Sequence, residues 1–203
     1  MTAHGAPSGT DETGPVRLFV AAWPSEPARR ALGAVQRAAN DSSLRWERVA
    51  NWHVTLAFLG SVPDEEVDDL AAALQPLSSL SAGLAVAGPA TETLGRGVLC
   101  VPVAGIDDIA AAARSATLPF NRSEDRDRPF VGHLTLARAR RRRSVPPRAV
   151  GLPVEASWAV EEVRLMSSRT GPAGSSYHVV ARVGLAGPPG QAPPAERSEL
   201  EGR

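Results

Sequence analysis

The feature that most constrains this chain is a tetrapeptide used twice: HVTL at residues 53–56 and HLTL at residues 133–136. The chain has only four histidines, and two of them open these segments. Each copy lies in a short apolar run, WHVTLAFLG and FVGHLTLAR, of the kind that forms a β-strand. On a strand, side chains two apart share a face. His53 and Thr55 therefore point to one side while Val54 and Leu56 point into the core. His133 and Thr135, set against Leu134 and Leu136, repeat the arrangement. Two such strands predict two related halves about a pseudo-twofold axis, each carrying one copy.

The rest of the chain alternates strand and helix patterns. RLFVAAW from Arg17 is a strand, and SEPARRALGAVQRAA is a helix with Ser25 as N-cap and Leu32, Val35 and Ala39 on its buried face. A Trp46-containing segment leads to the first HxTL strand, closed by Gly60. VPDEEVDDLAAALQPL is a second helix, acidic in its first turn and apolar at Val67, Leu70 and Leu74. GLAVAG and GVLCVPV are two strands joined by a loop carrying Gly95 and Gly97, and IDDIAAAARSATL is a third helix. An Arg/Asp-rich loop, the second HxTL strand, an arginine run, a strand near AVEEVRLMSS and a last strand YHVVARV complete the order. The expected fold class is α+β: two lobes, two antiparallel-type sheets with flanking helices, and a central cleft. Residues 1–15, with His4, and the Pro-rich residues 186–203 read as disordered tails, leaving one domain over 16–185.

Composition excludes several classes. At 203 residues the chain is long enough to bury a real core, and 43% hydrophobic with 22% charged residues is ordinary for a globular protein. Its formal charge is zero, so any basic surface for nucleic acid must be local. The single cysteine rules out an intramolecular disulfide framework, and within VLCVPV it reads as a buried inert thiol, Cys100. No run of about twenty apolar residues is present and the N-terminus lacks a signal-peptide pattern, so a cytoplasmic protein with no membrane partner is expected, as a monomer. Every one of the 22 cationic residues is Arg, which with the many Ala, Gly and Pro reflects coding bias rather than function.

Across a cleft, the two motifs would assemble two imidazoles and two hydroxyls. Histidine gives or takes a proton near neutrality, and two of them flanking a reacting group can serve as acid and base in one displacement. Threonine hydroxyls can donate to oxygens where negative charge develops. These are the parts that phosphodiester cleavage requires. A single HxT strand is ordinarily a half-buried strand with a satisfied histidine; the matched second copy is what argues for a site. Neither motif brings Asp, Glu or Cys into ligand register, and Thr is a poor zinc ligand, so no metal or cofactor is expected.

With RLFVAAWP, RWERVANWHVTLAFLG, RPFVGHLTLARAR and MSSRTGPAGSSYHVVARV, the chain resembles the two-histidine phosphoesterase superfamily over most of residues 16–184. Within it, the chain is similar to the RNA 2′,3′-cyclic phosphodiesterases, also called LigT-like or 2′-5′ RNA ligases. The resemblance implies that His53 is the proton donor and His133 the proton acceptor, with Thr55 and Thr135 binding the phosphate. It implies metal-free opening of a 2′,3′-cyclic phosphate on an RNA or oligonucleotide end to a 2′-phosphomonoester. Run in reverse, the same site would be a 2′-5′ ligase; a small cyclic nucleotide substrate and an RNA-end binding module without turnover are the other readings. Two positions depart from the family pattern: Gly132 stands where Pro is usual before the second histidine, and Trp52 where Leu is common before the first.

Further candidates lie nearby. Arg128, two residues before Phe130, aligns with a frequent family arginine and is a candidate substrate contact, with a local ion pair as its alternative. Arg138–Arg143 reads as a solvated run, with a phosphate track as the second reading. Phe58, Phe130 and Tyr177 are candidates to stack on a terminal base, although alternation assigns Phe58 to the core unless a bulge intervenes. His178 reads as structural.

Overall fold

The computed structural model describes residues 16–39, 41–140, 143–171 and 174–187. The expected tails at 1–15 and 186–203 lie outside these residues except for Ala186 and Gly187, and so do Arg141 and Arg142 of the arginine run. Ala186 is still paired, bridging Ser81, with its N–H donated to Leu80 O at 2.7 Å.

Among the described residues the elements are β1 (Val16–Ala22), α1 (Glu26–Ala39), β2 (Leu44–Trp46), β3 (Val54–Val62), α2 (Val67–Ala73), β4 (Gly83–Ala87), β5 (Glu92–Leu94), β6 (Val98–Ala104), α3 (Asp107–Thr117), β7 (His133–Ala139), β8 (Ala156–Val160), β9 (Glu162–Gly171) and β10 (Gly174–Gly184). Ser25 caps α1 through its hydroxyl, which accepts from Ala28 N–H at 3.4 Å, and Leu32, Val35 and Ala39 are buried on one helical face. The second helix is shorter than its apolar pattern. Asp64–Glu66 and Gln75–Ser79 flank α2 as 3₁₀ turns, the latter with Pro76 in its first turn.

All the strand pairings are antiparallel, in the order β10-β9-β1-β3-β7-β6-β4-β8, with β2 added to β7 and β5 to β6. The two expected sheets are thus halves of one curled sheet. They join where β3 meets β7 through the single pair Val54↔Leu134. Those are the second residues of the two HxTL segments, so the pseudo-twofold passes between the motifs themselves. The halves are not successive stretches of chain. From β3 the chain crosses to the far lobe as β4, and after β8 it returns as β9 and β10 to flank β1.

One core spans both lobes. Leu18, Val54 and Leu56 belong to the same buried cluster as Val101, Leu134 and Val160. The helices tie the lobes together, since α3 packs on β3 and α1 on β8. Each of these two helices therefore lies against the lobe that does not contain the strand preceding it. Sequence patterning under-reads the short strands β2, β5 and β8, because three to five residues carry too little alternation to register. It also stops β3 at Gly60, whereas the strand runs to Val62 with Gly60 at φ 75°.

Candidate functional site

The HxTL pairs open into one cleft of about 310 Å³ lined by His53, Thr55, His133 and Thr135. Their burial follows the expected alternation: Val54, Leu56, Leu134 and Leu136 are at most 1% exposed, while the four polar side chains are partly exposed. Small residues sit beside the hydroxyls on the neighbouring strands, Ala21 opposite Thr55 and Cys100 opposite Thr135. That leaves room for a tetrahedral group between the two strands.

Both imidazoles are held in the same way. His53 Nδ1 lies 2.6 Å from Asn51 O, and His133 Nδ1 lies 2.8 Å from Val131 O, each two residues upstream. A carbonyl can only accept, so each Nδ1 carries a hydrogen and donates it. The Nε2 of each ring is then the nitrogen available to a ligand. The two histidines thus reach the cleft as matched tautomers fixed by their own backbone.

Their surroundings differ. His53 is packed by three aromatic rings: Trp23 stacked at 5.2 Å, Phe19 tilted at 5.0 Å, and Tyr177 edge-on at 5.3 Å. Trp23 donates its indole N–H to Ala50 O at 3.1 Å and carries the Arg164 guanidinium over its ring at 4.9 Å. Burial among these groups pushes His53 down from 6.5 to about 4; the bond to Asn51 O opposes the shift, and His133 and Arg138 add to it. His133 is preceded by Gly132 and the exposed Val131, and faces Pro102 across the β6–β7 ladder.

The two departures from the family pattern have physical reasons. Trp52 is fully buried in the shared core, on the face opposite His53. Gly132 closes against β6: a Cβ there would stand 2.1 Å from Val103 O, and Gly132 O accepts from Val103 N–H at 2.9 Å. At this backbone separation only glycine fits.

Several expectations are corrected by placement. Arg128 does not line the cleft; its guanidinium pairs with Asp125 at 2.9 Å and its carbonyl accepts from Arg114 at 2.6 Å. Phe130 packs against the main core, beside Gly132, rather than facing a ligand. Phe58, assigned to the core by alternation, does line the cleft. The register shift between Val20 and Ala21 inserts one extra residue into β3 between His53 and Phe58, so their parity is reversed. Tyr177 lines the cleft. His178 is exposed on the other side of β10. Cys100 is buried, and burial pushes its thiol up.

Arg17, Phe19, Glu47, Asn51, Arg138 and Ser168 also line the cleft. Arg138 leaves the solvated run to pair with Glu47 at 3.3 Å. The sequence signal for it was present, since Arg138 lies three residues beyond Thr135. Arg17 and Ser168 carry none, because they reach the cleft through strand pairing. Among the described residues, no three His, Cys, Asp or Glu side chains come together as a metal-ligand set. No helix among them is long and apolar enough to cross a membrane.

Comparison with known proteins agrees with this geometry. The sequence model of the LigT like Phosphoesterase family matches residues 21–88, which include the first HxTL strand. An RNA 2′,3′-cyclic phosphodiesterase of Thermus thermophilus is 30% identical over 91% of this chain and 99% of its own length. The chain belongs to the two-histidine, LigT-like phosphoesterases. Among solved structures, a Thermus thermophilus protein matches with TM-score 0.71 at 26% identity, covering 84% of this chain and 98% of its own. Escherichia coli LigT in apo form matches with TM-score 0.66 at 26% identity, over 85% and 98%. The same LigT complexed with 3′-AMP matches at 23% identity, which supports the shared fold. These structures share the curled antiparallel sheet with a few helices described above.

Proposed function

We propose that this phosphoesterase hydrolyses 2′,3′-cyclic phosphate ends of RNA to 2′-phosphomonoesters, with His133 as proton acceptor and His53 as proton donor. The observation that carries the reading is the matched pair of imidazoles, each with Nδ1 committed to a backbone carbonyl and Nε2 left for the cleft. The Thermus thermophilus relative of that name supplies the substrate class.

Water attacks phosphorus as His133 Nε2 takes its proton. The bond from phosphorus to O3′ breaks, and His53 Nε2–H delivers a proton to the leaving oxygen. Thr55 and Thr135 donate to the non-bridging oxygens, where charge accumulates. The product is a 2′-phosphate with a free 3′-hydroxyl, and exchange with solvent resets both rings. The acid role sets a condition on His53. Its cage holds it neutral at pH 7 in the free protein, so the negative charge of the substrate's phosphate must bring the proton on.

The test uses an RNA ending in a 2′,3′-cyclic phosphate, with EDTA present, and compares wild type with His53→Ala and His133→Ala. Hydrolysis by the wild type alone is expected. Full activity in either variant would refute the paired-histidine mechanism, and loss of wild-type activity on EDTA addition would refute its metal independence. A product in which the cyclic phosphate has joined a 5′-hydroxyl would assign the ligase direction instead.

A further inference from the structure

Among the described residues two arginines line the cleft, and they stand in different states. Arg138 is answered by Glu47 at 3.3 Å. Arg17 makes no ion pair with any carboxylate among the described residues; its guanidinium lies over the Phe58 ring, 5.8 Å from the centroid. We propose that Arg17, propped on Phe58, binds the phosphodiester one nucleotide upstream of the reacting cyclic phosphate, so that the preferred substrate is an RNA strand rather than a mononucleoside cyclic phosphate. This rests on the reading of the site as a cyclic phosphodiesterase and adds a second anion seat to it.

The strand register places the seat. Thr55 is opposite Ala21, Phe58 opposite Phe19, and Arg17 opposite Ser61 on one side and Ser168 on the other. Arg17 is therefore four residues of β1 away from the position beside Thr55, about 13 Å at 3.3 Å per residue. Its side chain leans back over Phe58, towards the histidines. The cleft thus presents in sequence a phosphate seat, an aromatic ring and a second cation. Grooves that track single-stranded nucleic acid are built in this way, with stacking surfaces alternating with cations along the backbone.

Arginine suits the role because its forked N–H donors match a phosphate's oxygens, and contact with the ring limits the entropy lost on binding. A cation–π contact at an exposed site is weak, so Phe58 does not satisfy the charge. Ser168 lines the same end of the cleft and adds a hydroxyl. The chain has no net charge to recruit RNA at a distance, so an unanswered cleft cation has local work to do.

The experiment compares kcat/KM for adenosine 2′,3′-cyclic phosphate, for the dinucleotide ending in the same cyclic phosphate, and for that dinucleotide with a neutral methylphosphonate link. Wild type should prefer the natural dinucleotide over both others by about tenfold, the scale of one charge-assisted contact. Arg17→Ala should bring these ratios to within about twofold of one, and Arg17→Lys should keep part of the preference. The dinucleotide's log–log salt slope should become shallower by about one in Arg17→Ala. An equal rate on the methylphosphonate dinucleotide in wild type, or ratios unchanged in Arg17→Ala, would overturn the proposal. Calorimetric binding of the corresponding 2′-phosphate products reads the same ratios without turnover. A wild type that binds with the expected preference but hydrolyses none of the three would overturn the activity reading and leave the Arg17 seat supported.

Discussion

The two HxTL segments share a sequence, a backbone hydrogen bond and a strand pairing, yet the histidines they present live in different media. His53 is enclosed by Phe19, Trp23 and Tyr177, while His133 emerges beside Gly132, Val131 and Pro102. The residue before each histidine differs in the same sense. Trp52 fills the core where Gly132 is pressed against a neighbouring carbonyl. Here the tautomer is set by symmetric backbone contacts, and the enclosure of His53 is set by what the flanking strands bring alongside.

The largest expected effects test the symmetric part. On the proposed one-step mechanism, His53→Ala and His133→Ala should each lower kcat by roughly 10²–10⁴-fold, and the double variant should fall little further. A double variant that multiplies the single losses would break the pairing. Thr55→Val and Thr135→Val should each cost roughly tenfold to a hundredfold in kcat/KM, scaled to one donor to a charged oxygen. A strong imbalance between them would show that the phosphate sits closer to one strand.

The asymmetric part is tested by stability. Trp52→Ala should destabilise by about 3–5 kcal/mol in urea unfolding through the cavity it leaves. Gly132→Ala should cost about 1–3 kcal/mol through the forced separation of β6 and β7, with a lower kcat as His133 moves. A neutral Gly132→Ala would mean that the two strands part without resistance.

The smallest effects are the most diagnostic. In the free protein His53 should titrate near 4 by NMR, and should move upward on adding inorganic phosphate or in Trp23→Ala. A value near 6.5 with the cage intact would break the comparison. Because the folded protein keeps His53 neutral while the unfolded chain protonates below 6.5, the unfolded state binds more protons between 6.5 and about 4. Stability should therefore fall as pH drops through that window. The fall should be shallower in His53→Phe, read from urea midpoints.

Much of the site was legible because it is written locally. Alternation alone placed His53, Thr55, His133 and Thr135 on one kind of face and their aliphatic neighbours on the other, and the repeat announced the two-lobed sheet. Arg128 and Phe130 misled because proximity along the chain to His133 is not proximity in space; the turn before β7 carries them to an ion pair and to the core. Phe58 was misassigned by a rule that holds only on an unbroken strand, and the bulges of β3 are invisible without its partner β1.

What the sequence by itself determined is the facing of His53, Thr55, His133 and Thr135, since a period of two is a property of the strand alone. What only the tertiary structure decided is their environment. Ser168 and Tyr177 reach the cleft because β9 and β10 return across the molecule to flank β1, and Tyr177 closes the cage around His53 by the same route. Those contacts depend on pairings between residues about 150 positions apart, which no local periodicity encodes.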